Sequence, residues 1–483
     1  MGAEAFTLRS LRGARPPLTH EEQSEVAVEH GASGSSAVRR ALQFGIPVVL
    51  AGYALFDRAF AYAAAAPGTP VFAGELLLLL GTVLAVLATG HFKLALRHSV
   101  PIGVILAFAG WGLVRTIPLI PVYGLDAIRD AALWYYALMA VIVRALVIAT
   151  PELPHRWARA FAPFVVVLLL WSPIAMVLGN LTGPLIPGSS VPMFSHKVGN
   201  IAVDTVIAIG FLWLVPVDSL SRRVRRILTA LATVVIVASG NLNRGGAVAA
   251  LIALVVIGVL AGRRRLQLFA LMVTTVIVGL VLAWGLDVHI PVPGAEGRDI
   301  SVSQLWQNVL SVTGASEDNS QLTATVEFRN DLWTGAINLT HEQNALVTGL
   351  GFGPNLAQEL GVQATPADPL RSPHNSHVDV LARMGLIGGV LWLGLWASWY
   401  FVVLTRLRRR PNLSPVNAGL LKVCAVGVTA ILANAYFDPT LEGPQVAIWL
   451  WTLAGLGVGI ASMPVRSTLA ATPHGSVVSE KPT

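Results

Sequence analysis

Charged residues make up only 12% of this 483-residue sequence, about half the share typical of soluble domains. That shortfall excludes an ordinary cytosolic enzyme, a disordered chain and a nucleic-acid binder. Cysteine is nearly absent. Cys424 stands alone in an apolar stretch, so no intrachain disulfide can form and cysteine says nothing about compartment. Lysine is missing altogether between residues 287 and 385. What fills the chain instead is apolar sequence, 54% of all residues, with a formal net charge of +7. In such a chain, basic loops facing anionic lipid explain the charge better than DNA does.

The apolar residues come in blocks. A bilayer core about 30 Å thick needs about 20 apolar residues per helix, because lipid offers backbone groups no partner. Twelve such segments are predicted near 44–64, 71–90, 99–118, 131–149, 162–182, 198–217, 224–240, 245–261, 266–286, 386–404, 416–436 and 445–463. Asp57 and Arg58 interrupt the first. They project about 100° apart on a helix and cannot simply neutralise each other, so this segment is expected to be bent or short.

Basic residues then orient the chain. Arg9, Arg12, Arg15, Arg39 and Arg40 precede the first block. Alternate connections carry Lys93 and Arg97; Arg144, Arg156 and Arg159; Arg222, Arg223, Arg225 and Arg226; Arg263 to Arg265; and Arg406 with Arg408 to Arg410. Threading twelve spans puts every cluster on one side, the positive-inside pattern. The expectation is an all-α polytopic integral membrane protein of about twelve transmembrane helices with both termini cytoplasmic. Residues 1–43 and 464–483 are expected as disordered cytoplasmic tails, 44–286 as helices one to nine, and 386–463 as helices ten to twelve. Between them, 287–385 forms a long outward-facing helical loop.

Loops of that length are usually functional. This one is rich in Asp and Glu and holds Arg298, Arg329, Arg371 and Arg383. Phe328, Leu332, Trp333, Ala336 and Ile337 recur at helical spacing, predicting an amphipathic helix over Glu327–Thr340. A second helix should start at Asn375 or Ser376, either a good N-cap, and run into the tenth span after Pro373.

The sharpest local signal is Ser372-Pro373-His374-Asn375-Ser376-His377. It sets a histidine at a helix N-terminus, where the dipole disfavours imidazolium and a neutral ring can accept a hydroxyl proton. On the residues alone, a loop histidine that merely caps a helix is the favoured reading. His374 and His377 with Asp379 make a weak metal pattern without a third matching ligand, so no metal is expected. Gly349, Gly351 and Gly353 form a glycine string with no preceding strand, which predicts a turn. Arg244 faces outward in the short turn 240–246, against the charge bias. It is either a snorkelling arginine or an anion clamp, since guanidinium forks match phosphate oxygens. Arg329 is flanked by Glu327 and Asp331, which can simply pair with it. Arg129, between Asp126 and Asp130, allows structural pairing with Asp126 or contact with substrate. Glu75, Asp204 and Lys197 are intramembrane or interfacial ionisable groups, functional candidates by default although pairing inside the bundle also accounts for them. Asp438 and Glu442 lie in the last outer loop.

These residues together resemble the signature of the O-antigen ligase/polymerase family, bacterial membrane glycosyltransferases that use polyprenyl-diphosphate-linked sugars. The string His374-Asn375 with Val378, Leu381, Gly385 and Gly388 carries the likeness. Arg244-Gly245 in its turn, Arg329 before a Trp-containing helix and the 349–353 glycines support it. The likeness spans about 44–463 and is most specific in roughly 240–390. It implies transfer of a glycan from an undecaprenyl-diphosphate carrier to an acceptor hydroxyl at the extracytoplasmic face of the bacterial plasma membrane. By this resemblance Arg244 and Arg329 hold the diphosphate and His374 is the base. Arg371, Asn375, His377 and Arg129 become substrate contacts. Inversion proceeds with no metal and no cofactor.

Two positions depart from the family pattern. Arg383 stands where an acidic residue is common, and Asn243 where Ser or Thr often precedes the arginine. The acceptor stays open: a glycan, a lipid or a protein. The competing class is a transporter or flippase of lipid-linked oligosaccharide, which should place charge near the bilayer midplane in two related halves. Here the polar chemistry gathers in the ninth-to-tenth loop, which favours the enzyme.

Overall fold

The computed structural model describes residues 33–65, 71–97, 99–181, 183–292, 299–312, 320–362, 370–409 and 413–464. The two expected tails lie outside these residues from 1 to 32 and from 465 to 483, as do Arg298 and Arg410. The chain is helical: α1 Ser33–Ala63, α2 Ala73–Leu87, α3 Thr89–Leu96, α4 Val100–Thr116, α5 Ile120–Tyr123, α6 Leu125–Asp130, α7 Ala132–Tyr135, α8 Leu138–Ala149, α9 Leu153–Leu178 and α10 Val198–Leu214. Then follow α11 Arg222–Leu242, α12 Arg244–Ala261, α13 Arg263–Gly285, α14 Val302–Val312, α15 Ser320–Glu342, α16 Leu356–Glu359, α17 Ser376–Arg409, α18 Pro415–Ala435 and α19 Pro444–Ala461. A two-residue hairpin pairs Ile290–Pro291 with Asp299–Ile300.

Every one of the twelve apolar blocks falls on helix. Among the described residues, eight helices are long and apolar enough to cross a membrane, and nine if the bent segment 125–149 is one span. Three shorter apolar helices occupy the second, sixth and ninth blocks. The chain is a multi-pass membrane protein. Its first helix starts at Ser33, eleven residues before position 44, so 33–43 belong to helix and not to the expected disordered tail. As expected, that helix is bent: Asp57 sits at φ 47° and ψ −123°.

The centre of the bundle is α10, α12 and α18, packed on one another, with α19 wedged between α18 and α8. Small residues let these backbones approach, as is usual where lipid gives no hydrophobic drive. A Cβ on Gly419 would lie 2.5 Å from the carbonyl oxygen of Leu214, and one on Gly427 2.5 Å from Leu453. Trp392 and Trp451 fill the wall between α17 and α19, with Trp396 stacked on Trp451. Arg144 corrects its expected place in a basic loop. It lies inside α8, 2% exposed, and donates to the carbonyls of Ala95 and Arg97, joining helices that have no charged partner to offer.

The 287–385 segment is built on α15, which extends the expected helix at both ends. Leu332, Ala336 and Thr340 are buried along it, whereas Phe328 and Ile337, expected on the same apolar face, are exposed. The glycine string forms the expected turn, with φ of 80°, 84° and 122° at Gly349, Gly351 and Gly353. It lies against a break in α17 at Gly385, whose φ is 64°. There the turn and the helix complete each other's backbone bonding. Leu350 N donates to Ala382 O and Gly351 N to Arg383 O, at 2.8 and 2.9 Å, while Leu386 N donates back to Leu346 O at 2.9 Å. Only glycine fits at this crossing: a Cβ on Gly349 would overlap the Arg383 carbonyl, and one on Gly385 would overlap that of Val347.

Candidate active site at one end of the bundle

The loop joining α18 to α19, residues 436–443, gathers the chemistry. Its Asp438 accepts an ion pair from Lys197 at 2.8 Å. That carboxylate holds the Lys197 ammonium above its ordinary value. Arg329 on α15 feels the same carboxylate: burial lowers its pKa and Asp438 partly restores it. One residue earlier, Phe437 packs on Gly245, where an added Cβ would come within 2.5 Å of the Phe437 Cβ, so Arg244 is set beside this loop. Tyr436 meets Trp333 edge-on, with ring centres 5.1 Å apart, and the Trp333 indole donates to Pro373 O at 2.8 Å, just before His374. Ser376 Oγ donates to Asp438 O and accepts from Leu441 N, both at 3.3 Å. Arg244, Arg329 and His374 thus all adjoin one loop. The connectivity sets this end of the bundle opposite the basic starts of α11 and α13 and the basic finish of α17.

Helix caps fix the positions. Asn243 Oδ1 accepts from Gly246 N at 2.7 Å, so Arg244 is the first residue of α12. Ser or Thr would make the same bond, which removes the weight of that departure from the family pattern. Asn375 Oδ1 accepts from His377 N and Val378 N at 2.9 and 3.2 Å, the N-cap expected for α17. Its Nδ2, in a residue 1% exposed, finds no acceptor among the described residues. His374 precedes the cap at φ 54°, a left-handed conformation that a non-glycine residue holds only when its surroundings impose it. The Trp333 bond on one side and the Asn375 cap on the other are that imposition.

His377 turns away into the bundle: Trp392 Nε1 donates to its Nδ1 at 3.0 Å, and its Nε2 is 2.9 Å from Leu432 O. An accepting Nδ1 and a carbonyl at Nε2 fix the neutral Nε2–H tautomer and leave no ring nitrogen for substrate. Arg371, 12% exposed, is absorbed by an internal network: Nη1 pairs with Asp126 at 3.1 Å, Nη2 with Asp130 at 3.2 Å, and Nη2 also donates to Gly353 O at 2.9 Å. Asp126 and Asp130 therefore serve Arg371, and not the neighbouring Arg129 expected to pair with Asp126. Arg129 itself is exposed. The network continues through Arg383, 1% exposed, which bonds Asp130 at 3.1 Å and Asp379 at 2.9 Å. Glu442 borders it. Burial first, and the Asp379 charge next, raise its pKa well above the usual glutamate range.

Residues 227–393 match a protein-family model described as O-antigen ligase. This segment belongs to the O-antigen ligase family. No curated protein matches the chain. The matched segment, about a third of the chain, contains Arg244, Arg329 and His374. Lys197, Asp438 and Glu442 lie outside the matched residues. Two features of the site escaped the sequence. Asp57 accepts from Lys197 N at 2.8 Å and Asn200 Nδ2 at 3.1 Å, so the break in α1 caps α10. Asp438 joins Lys197 across 241 positions. The charges of Asp57, Lys197 and Asp438 were visible in the sequence, but not their pairing.

Proposed function

We propose that this protein moves a glycan from an undecaprenyl-diphosphate carrier to an acceptor hydroxyl at the extracytoplasmic face of the bacterial plasma membrane, through twelve spans with both termini cytoplasmic. The observation that supports this reading is the convergence of Arg244, Arg329 and His374 on the 436–443 loop, at the end of the bundle away from the basic helix ends. The acceptor oxygen attacks the anomeric carbon as the bond to the diphosphate breaks, inverting that centre. The hydroxyl proton passes to His374. The electron pair leaves with the diphosphate, whose growing charge Arg244 and Arg329 stabilise. Preorganised cations in a partly dry site act strongly on such charge, so the reaction needs no metal. Arg371 and Arg383 do not touch the donor in this scheme. They hold the segment that carries His374.

Purified protein supplied with a lipid-linked glycan and an acceptor tests the proposal. Product should form without an ion gradient, and His374→Ala should lower kcat by about 100-fold or more, the usual contribution of a positioned general base. Wild-type turnover in His374→Ala removes the base. Glycan translocation with no product would instead identify a transporter of lipid-linked glycan. Deleting the gene and sizing the glycans separates polymerase from ligase: lost long chains mark the first, and intact unattached chains the second.

A further inference from the structure

We propose that Lys197 is a third cation for the diphosphate of the donor, held by Asp438 until the donor arrives. This inference rests on the proposed function. Three observations carry it. First, Lys197 lies where Arg244 lies. It precedes α10, and Gly199 of that helix abuts Gly246 of α12, two residues beyond Arg244, so closely that a Cβ on Gly246 would stand 2.7 Å from the Gly199 Cα. Second, its side chain is reachable. It is 48% exposed, whereas Arg371 and Arg383 are 12% and 1% exposed and spend their nitrogens on internal carboxylates. Third, Asp438 is shared. The carboxylate that holds the Lys197 ammonium at 2.8 Å also lies close enough to Arg329 to act on its charge.

The chemistry suits a lysine at this place. An ammonium on a four-carbon stem is a movable point charge, unlike the planar fork of arginine. The backbone at its base is pinned by the Asp57 carboxylate, so the stem swings from a fixed root. Arriving diphosphate oxygens would exchange one ion pair for another: Lys197 passes from Asp438 to phosphate. No bond forms or breaks, and no proton moves.

Binding of undecaprenyl diphosphate to the purified full chain in detergent tests this, with wild type compared against Lys197→Ala, Lys197→Gln, Lys197→Arg, Asp438→Asn and Arg244→Ala. Lys197→Ala and Lys197→Gln should weaken binding about 10- to 100-fold, the size of one charge-assisted hydrogen bond, and Lys197→Arg should recover most of the loss. Asp438→Asn releases the ammonium and should bind at least as tightly as wild type. A purely structural ion pair predicts the opposite: Asp438→Asn would weaken binding as much as Lys197→Ala does, and that result overturns the proposal. So does wild-type affinity in Lys197→Gln while Arg244→Ala is weakened. If Arg244→Ala also binds like wild type, the donor-binding function itself falls, and this inference with it.

Discussion

Replacing Arg383 with methionine would show what holds the histidine segment in place. The guanidinium is 1% exposed and reaches Asp379 at 2.9 Å and Asp130 at 3.1 Å. Methionine keeps most of the volume but leaves Asp379, itself 1% exposed, with no cation, while Asp130 retains Arg371. Removing one partner of a buried pair costs about 3–5 kcal/mol, because the other charge is left without compensation. At about 2 °C per kcal/mol, the lower figure for large domains, the thermal midpoint in detergent should fall by about 6–10 °C. Adding Asp379→Asn should recover a large part of that fall, since the uncompensated charge is then gone. Lysine at 383 should land between methionine and wild type, because a single ammonium cannot fork to both carboxylates. A midpoint within 2 °C of wild type for Arg383→Met, or no recovery in the double variant, would refute the claim that Arg383 compensates a buried charge on Asp379.

Gly349→Ala combines a left-handed conformation with backbone overlap at the α17 break, and should cost about 2–5 kcal/mol from strain and overpacking together. Gly361→Ala is its control: φ is 72° there, but nothing lies within 4 Å of the added carbon, so only about 1 kcal/mol should be lost on the same thermal scale. Glu442 gives a pH signature. Its pKa is raised in the folded protein, so its contribution to stability is complete below the ordinary glutamate value near 4.3 and is lost as pH rises through the raised value. Glu442→Gln should therefore flatten the decline of the thermal midpoint from acid to neutral pH, and an unchanged decline would show that Glu442 is not its source.

Local signals were legible and distant ones were not. The apolar blocks, the Asn375 cap, the bend at Asp57 and the glycine turn each follow from a few adjacent residues, and each stands in the structure. The residues that fix the site's electrostatics pair across long separations. Arg371 finds Asp130 across 241 positions, and His377 finds Leu432 across 55. Spacing on one helix suggested Asp126 with Arg129, since neighbours three apart can meet. A cation elsewhere with better access to both Asp126 and Asp130 displaced it. The partners of His377 were hidden for a similar reason: Trp392 and Leu432 lie 15 and 55 positions away.

The bend in the first helix has a consequence for assembly. Asp57 is made and placed in the membrane early, but its two partners, Lys197 N and Asn200 Nδ2, lie 140 and 143 residues further along. A carboxylate at that depth is costly without partners. The apolar block that holds Asp57 is therefore completed only by the block that begins near residue 198, and it should need a chaperone or the translocon itself until that later block has been synthesised.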